Sequence, residues 1–163
     1  MSGAAAVELP VYHARIEPDW IDYNGHLRDA YYGLVASYAI DDLMDFLGLD
    51  AAYRQRTQCT LYSLEMHIHF LHEVKGSDEL TVITSILDFD RKRIHAGCTF
   101  HCARLAAAAA TADMMLLHVQ QGEKPASAPF AEAVTARLSA LKLSAAAREG
   151  FGPLSRKIEL KPR

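Results

Sequence analysis

The sequence predicts an α+β fold in which one antiparallel sheet packs against a long helix. Residues 29–47 carry apolar side chains at helical spacing, and several later segments alternate apolar and polar side chains as strands do. The 163 residues, 50% of them hydrophobic and 23% charged, fit a soluble chain with one core. We therefore expect a single domain over residues 1–163, with its core at about 11–120 and a C-terminal helix and tail over 121–163.

The long helix has recognisable ends. Asp29 is a candidate N-cap, and Gly48 follows the last periodic residue, where glycine accepts a left-handed backbone. Residues 51–57 are predicted to be a polar connection, residues 106–110 a hairpin turn with strand ends, and residues 130–147 the terminal helix. The predicted strands span residues 11–17, 61–74, 79–88, 94–105 and 111–120, with a further short strand at 157–160.

The strand predicted at 61–74 presents two different faces. Alternation assigns Leu64, Met66, Ile68 and Phe70 to one face, and Ser63, Glu65, His67 and His69 to the other. The histidines at 67, 69 and 72 suggest a metal site at first sight. No cysteine or further spaced histidine completes a tetrahedral ligand set, so we expect no metal.

A short polar cluster at residues 22–26 separates the first strand from the helix. Asn24 and Gly25 are a strong turn signal, and Asp22 is the only carboxylate in the segment 20–26. A carboxylate there suits chemistry on an activated acyl group, with backbone N–H groups of Gly25, His26 and Leu27 as candidate oxyanion donors at a helix start. Asp22 could equally cap a turn, and His26 could orient Asp22, donate to a substrate carbonyl or pack structurally.

These segments together resemble the hot-dog fold thioesterases, in particular the branch like 4-hydroxybenzoyl-CoA thioesterase. The matching positions are Asp22, Gly25, His26 and Tyr32 with residues 64–71, 76–82 and 110–119. The resemblance implies an antiparallel sheet wrapped around the long central helix, a C-terminal helix, and acyl-CoA hydrolysis with Asp22 as nucleophile or general base. It also implies a homodimer, or a tetramer built from dimers, with the pocket between protomers. Arg28, where asparagine is common, and the alanine turn depart from the family pattern.

Residues 19–26, followed by two tyrosines, also look like the betainyl-CoA thioesterases of carnitine breakdown. The substrate contacts expected on this basis are Trp20, Tyr23, Asn24, Tyr31, Tyr32 and Glu65. Aromatic faces attract quaternary ammonium groups, and a negative side chain nearby would help. The aromatic residues could instead belong to the core and a dimer interface, could serve an aryl substrate, and Glu65 could be a solvated or paired surface residue.

The expected partner is an acyl-CoA, with coenzyme A as part of the substrate and no separate cofactor. The net charge of −3 gives no reason to expect nucleic-acid binding, so the phosphates of coenzyme A would need a local basic rim. Arg91 and Arg93 are candidates, as are Arg156, Lys157 and Lys161, although either group could be a solvated turn. The three cysteines form no disulfide framework, and no signal peptide or membrane span is recognisable, which predicts a cytoplasmic protein.

Two other functions fit the same fold. An enoyl-thioester hydratase would place its aspartate and histidine at a different spacing from that of Asp22 and His26. A non-catalytic acyl-CoA-binding protein would not need the carboxylate of Asp22. The thioesterase is therefore the leading hypothesis.

Overall fold

The computed structural model describes residues 9–152 and Leu154. Its helices are α1 (Asp29–Leu47), α2 (Ala51–Thr57), α3 (Glu132–Leu141) and α4 (Ala145–Glu149), and a 3-10 turn spans Pro18–Trp20. Its strands are β1 (Val11–Ala14), β2 (Cys59–Phe70), β3 (Leu80–Phe89), β4 (Arg93–Cys102), β5 (Ala110–Gln120) and β6 (Ala126–Ser127). The strand predicted at 157–160 and the basic residues Arg156, Lys157 and Lys161 lie outside the described residues.

One antiparallel sheet, in the order β1-β3-β4-β5-β2, curls around α1. The core lies between them and contains Val35, Ala39, Leu43 and Leu47 of the helix with Val82, Phe100, Met114 and Leu116 of the sheet. The short β6 pairs with the end of β5. The predicted α+β architecture is confirmed, and β2 forms one edge of the sheet.

Helix α1 has the predicted length, but its first residue differs in role from the prediction. Gly48 adopts φ +81°, and its N–H bonds to the carbonyls of Asp45 and Met44, which ends the helix as expected. At the other end Arg28 occupies the N-cap position, with no side-chain cap. Asp29 is instead the first helical residue, and its Oδ1 accepts the N–H of Ala30 at 2.8 Å.

None of the helices within residues 9–152 is long and apolar enough to cross a bilayer.

Residues 51–57 were predicted to be a connection but form helix α2. The carboxylate of Asp50 accepts the N–H of Tyr53 at 2.8 Å and so caps the first turn. Tyr53 is buried, and its hydroxyl lies 3.0 Å from Nε2 of His118. Gln58 ends the helix with φ +57°. Capping and the burial of one aromatic side chain therefore stabilise a helix too short to show apolar periodicity.

A bulge in β2 changes the predicted assignment of its faces. Ser63 lies opposite Leu116 and Glu65 opposite Met115, which leaves Leu64 without a partner. The extra residue reverses the alternation, so Ser63 shares the helix-facing side with Met66, whereas Leu64 is 56% exposed. The prediction is therefore wrong for these two residues.

The single C-terminal helix predicted at 130–147 is two helices, α3 and α4. The chain leaves helical geometry at Lys142, and the N–H of the next residue, Leu143, donates to the carbonyl of Ile86 in β3 at 2.9 Å. Ser144 then caps α4 by accepting the N–H of Ala147 at 3.2 Å. A backbone contact with the sheet thus interrupts the helix.

Strand β1 is also shorter than predicted and ends at Ala14.

Candidate active site

Residues 21–28, here called the Asp22 loop, form a tight hairpin before α1. Ile21 pairs with Leu27, the N–H of Asp22 donates to the carbonyl of His26 at 2.8 Å, and the N–H of Gly25 donates to the carbonyl of Asp22 at 3.0 Å. Gly25 has φ +81°, a backbone conformation that glycine adopts without steric cost. The loop is therefore a defined structure rather than an open segment.

The carboxylate of Asp22 is fixed by the loop that contains it. Its Oδ1 accepts the N–H of Asn24 at 2.8 Å and the N–H of His26 at 3.0 Å. The bond from His26 is the main cause that holds the pKa of Asp22 below its usual value, and it outweighs desolvation. Oδ2 has no hydrogen-bond partner within residues 9–152. One oxygen thus caps the turn, and the other is free for chemistry.

The three backbone groups predicted to bind an oxyanion already have partners. The N–H of Gly25 and that of His26 donate to Asp22, and the N–H of Leu27 donates to the carbonyl of Val74 at 2.7 Å. At the start of α1 the N–H of Asp29 has no hydrogen-bond partner in the described part of the chain. In this loop conformation, Asp29 offers the free donor at the positive end of the helix.

A cleft of about 310 Å³ lies between the start of α1 and the segment that follows β2. It is lined by His26, Leu27, Asp29, Tyr32, Phe70, Leu71, His72, Glu73 and Val74. Nε2 of His26 lies 3.1 Å from Oε2 of Glu73, so the imidazole faces Glu73 while its backbone N–H contacts Asp22. Asp22 is therefore one hydrogen bond from a residue that lines the cleft.

An ion pair behind the cleft fixes the main chain at Glu73. Arg104 donates from Nη2 to the carbonyl of Glu73 and to Oδ2 of Asp78, both at 2.8 Å, and from Nε to Oδ1 of Asp78 at 3.0 Å. Asp78 also accepts the N–H of Lys75 at 2.8 Å. The bonds from Arg104 are the largest cause that lowers the pKa of Asp78 to about 2. The segment carrying Glu73 is thus anchored beside the Asp22 loop.

Of the four aromatic residues proposed as substrate contacts, Tyr32 alone lines the cleft. It is 3% exposed, its ring packs edge-on against Phe70 at 5.1 Å, and burial raises its pKa to about 12. Trp20 and Tyr31 stack on each other with ring centroids 4.9 Å apart, and Tyr23 is 94% exposed. The exposed Asn24 contributes its backbone N–H to Asp22, as described above.

Three charged residues predicted to contact the substrate lie away from the cleft. Glu65 pairs with His67, at 2.8 Å, on the sheet face opposite α1. Arg93 pairs with Asp90, at 2.6 Å from Nη2 to Oδ2, and Arg91 lies in the same β3–β4 turn. That turn is at the opposite end of the sheet from Phe70, roughly 20 Å away along the strands.

Sequence patterns gave no indication of Glu73, or of Asp29 and Phe70 as residues lining a cleft. Glu73 follows the strand alternation and precedes a turn, where an acidic residue is unremarkable. Its proximity to His26 depends on how the end of β2 packs against the start of α1. A pairing prediction between these two segments would have been needed to find it.

Comparisons with known proteins identify the family of the chain. The thioesterase-like superfamily model matches residues 16–138. A betainyl-CoA thioesterase from Pseudomonas aeruginosa is 46% identical over 133 residues, which are 82% of this chain and 83% of that protein. An L-carnitine dehydrogenase/betainyl-CoA thioesterase from Agrobacterium fabrum is 40% identical over 68% of this chain, but over only 22% of its own length.

Solved structures show the same fold. A crystal structure of a thioesterase candidate from Pseudomonas putida KT2440 superposes with a TM-score of 0.76 at 42% identity, covering 98% of this chain and 100% of the other. A Staphylococcus aureus protein in complex with CoA superposes with a TM-score of 0.80 at 25% identity and the same coverage. The chain therefore belongs to the thioesterase-like superfamily and has the hot-dog fold that its Asp22 loop and strand segments predicted.

Proposed function

We propose that this protein hydrolyses betainyl-CoA to betaine and free CoA, with Asp22 as the reactive carboxylate. The observation that carries the reaction type is the carboxylate of Asp22, in which Oδ1 accepts two N–H groups and Oδ2 has no hydrogen-bond partner among the described residues, beside a cleft that His26 lines. The acyl group is supported by the named activity of the P. aeruginosa relative. The CoA part is supported by the S. aureus structure with CoA.

The free oxygen of Asp22 can act in two ways. As a nucleophile it adds to the thioester carbonyl carbon, the C–S bond breaks, CoA leaves as a thiolate, and water then hydrolyses the acyl-aspartyl anhydride. As a general base it takes a proton from a water molecule whose oxygen adds to the same carbon. Both routes require the ionised form, which the lowered pKa of Asp22 favours.

Charge that develops on the carbonyl oxygen needs a donor in the cleft. The N–H of Asp29 lies at the positive end of the 19-residue helix α1 and has no hydrogen-bond partner among the described residues. The imidazole of His26 lines the cleft with Nε2 3.1 Å from Oε2 of Glu73, and it is a second donor once Nε2 exchanges that contact for the carbonyl oxygen. We assign the carbonyl oxygen to these two groups.

A homodimer paired along β2 is part of this proposal. Strand β2 is an edge of the sheet and carries or precedes exposed apolar side chains at Tyr62, Leu64, Phe70 and Leu71. An exposed apolar edge favours pairing with another strand. In a two-fold dimer the β2 strands of the two protomers run antiparallel. The β3–β4 turn of one protomer would therefore lie at the same end of the combined sheet as the cleft of its partner. Arg91 and Arg93 would then reach the phosphates of CoA bound to the partner.

A cytoplasmic location belongs to the same proposal. Cys59, Cys98 and Cys102 are all free and buried. Burial raises the pKa of Cys98 to about 12, which keeps it in the thiol form. Free buried thiols are typical of proteins in a reducing compartment.

A substrate panel tests the proposal. Release of free thiol would be measured with betainyl-, acetyl-, benzoyl- and palmitoyl-CoA, and loss of the enoyl absorbance with crotonyl-CoA. We expect the highest kcat/KM for betainyl-CoA. Faster hydrolysis of an aryl or long-chain ester would contradict the acyl-group assignment, and hydration of crotonyl-CoA without thiol release would contradict thioester hydrolysis.

A further inference from the structure

The cleft is acidic as well as aromatic. Its lining includes two carboxylates, Asp29 and Glu73, and neither a lysine nor an arginine is among its described lining residues. Phe70, also in the lining, is 55% exposed and lies at the edge of the Tyr32 ring. A quaternary ammonium group cannot donate a hydrogen bond, so it is held by aromatic faces and by negative charge. The cleft supplies both.

The two carboxylates differ in their contacts. Oδ1 of Asp29 accepts the N–H of Ala30 at 2.8 Å and is thus engaged at the helix start. Glu73 has its main chain fixed by Arg104, while its side chain is 71% exposed and contacts Nε2 of His26. Glu73 therefore has a defined position with a carboxylate that remains accessible.

Glu73 is connected to the proposed reactive carboxylate through His26. In a betaine thioester one methylene separates the ammonium from the carbonyl carbon, so the counter-charge must lie next to the residues that handle the carbonyl. Oε2 of Glu73 is 3.1 Å from Nε2 of His26, and the backbone N–H of His26 is 3.0 Å from Oδ1 of Asp22. Glu65, the carboxylate that the sequence suggested, is paired with His67 on the opposite face of the sheet.

We infer that Glu73 determines the specificity of the site by providing the negative charge that recognises a cationic acyl group, with the ring of Phe70 as its apolar counterpart. This inference rests on the proposed thioesterase function and names the residue responsible for its preference. The role concerns the charge of the substrate and not the chemical step. It should therefore disappear for an acyl group of the same shape without the charge.

Two substrates of equal shape provide the test. Betainyl-CoA carries a positively charged nitrogen at the position where tert-butylacetyl-CoA has an uncharged carbon. The ratio of their kcat/KM values would be measured for the wild type, for Glu73→Gln, and for Glu123→Gln as a matched control. Glu123 is an exposed acid after the end of β5, at the other end of the sheet. Comparing ratios cancels the different intrinsic reactivities of the two esters.

We expect Glu73→Gln to lower the betainyl to tert-butylacetyl ratio about ten-fold, with Glu123→Gln unchanged. A circular dichroism spectrum that matches the wild type would show that the variant is folded. An unchanged ratio in Glu73→Gln would overturn the inference. If both kcat/KM values fell equally, and the ratio therefore stayed the same, Glu73 would be a positioning residue for His26. Failure of the proposed function is distinct, because the wild type itself would then not hydrolyse betainyl-CoA.

Discussion

Oδ1 of Asp22 accepts the backbone N–H of His26 at 3.0 Å, so the proposed reactive carboxylate also shapes its own loop. The bond has two consequences. It favours the ionised form of Asp22, and it fixes the direction of Oδ2 relative to His26, which lines the cleft. The two interpretations of Asp22 that the sequence left open, a turn cap and a reactive group, are compatible because each uses a different oxygen.

The structural role of Asp22 predicts a difference between two substitutions. Asparagine keeps an oxygen that can accept the N–H groups of Asn24 and His26, whereas alanine leaves both without that acceptor. Asp22→Ala should therefore unfold at a lower temperature than Asp22→Asn, as measured by circular dichroism. Equal unfolding temperatures would show that these two bonds do not stabilise the loop.

The pair formed by Asp78 and Arg104 should contribute to stability above the usual carboxyl pKa. Asp78→Asn should lower the free energy of unfolding by about 2 kcal/mol near pH 7, since it removes hydrogen bonds between charged groups. The pKa of Asp78 is lowered from 3.8 to about 2 in the folded protein, so this stabilisation is fully present above 3.8 and is lost as the pH falls through about 2.

Urea unfolding of the wild type and Asp78→Asn at neutral and acidic pH measures this contribution. The difference between them should shrink toward zero as the pH approaches about 2, and Glu123→Gln should match the wild type throughout. A difference that stayed constant down to that pH would mean that the charge of Asp78 is not its source.

The glycine that ends α1 should not tolerate a side chain. Gly48 has φ +81°, which strains any residue that carries a Cβ, and the guanidinium of Arg137 would have to move aside. We expect Gly48→Ala to lower the free energy of unfolding by about 1 kcal/mol or more. Gly150 ends α4 with φ −77°, and a Cβ there would make only ordinary contacts, so Gly150→Ala is the matched control. Equal effects of the two substitutions in thermal unfolding would contradict this argument.

Pairing along β2 predicts that a charge on that edge dissociates the dimer. Leu64 sits at the bulge of β2 and is 56% exposed. Leu64→Lys should give a monomer in light scattering coupled to gel filtration, because lysine on an edge strand opposes pairing. The control, Ile83→Lys, changes a residue that is 40% exposed on the interior strand β3 and should remain at least dimeric. A dimeric Leu64→Lys would exclude this edge as the interface.

The sequence was most informative where the structure depends on residues that are adjacent in the chain. Helix α1 and its end at Gly48 follow from local periodicity and a left-handed glycine, and both were predicted correctly. Helix α2 was missed because its stability depends on the cap at Asp50 and on the distant partner of Tyr53. The bulge at Leu64 depends on the pairing of β2 with β5, which alternation within one strand does not reveal.

The candidate site shows the same limit. The cluster around Asp22 was recognisable because its residues are adjacent in the chain. Glu73 was not, because only the packing of the segment after β2 against α1 brings it to His26. Strand alternation assigned Glu65 to the polar face with His67, but could not show that this face is turned away from α1.

The most direct test of the account is the rate of CoA release from betainyl-CoA by the wild type and by Asp22→Asn. The substitution keeps an oxygen for the N–H groups of Asn24 and His26 and removes the negative charge. We expect kcat to fall by about 100-fold or more, with circular dichroism and oligomeric state unchanged, since an amide is neither the nucleophile nor the base. A folded Asp22→Asn that releases CoA at the wild-type rate would contradict the central claim.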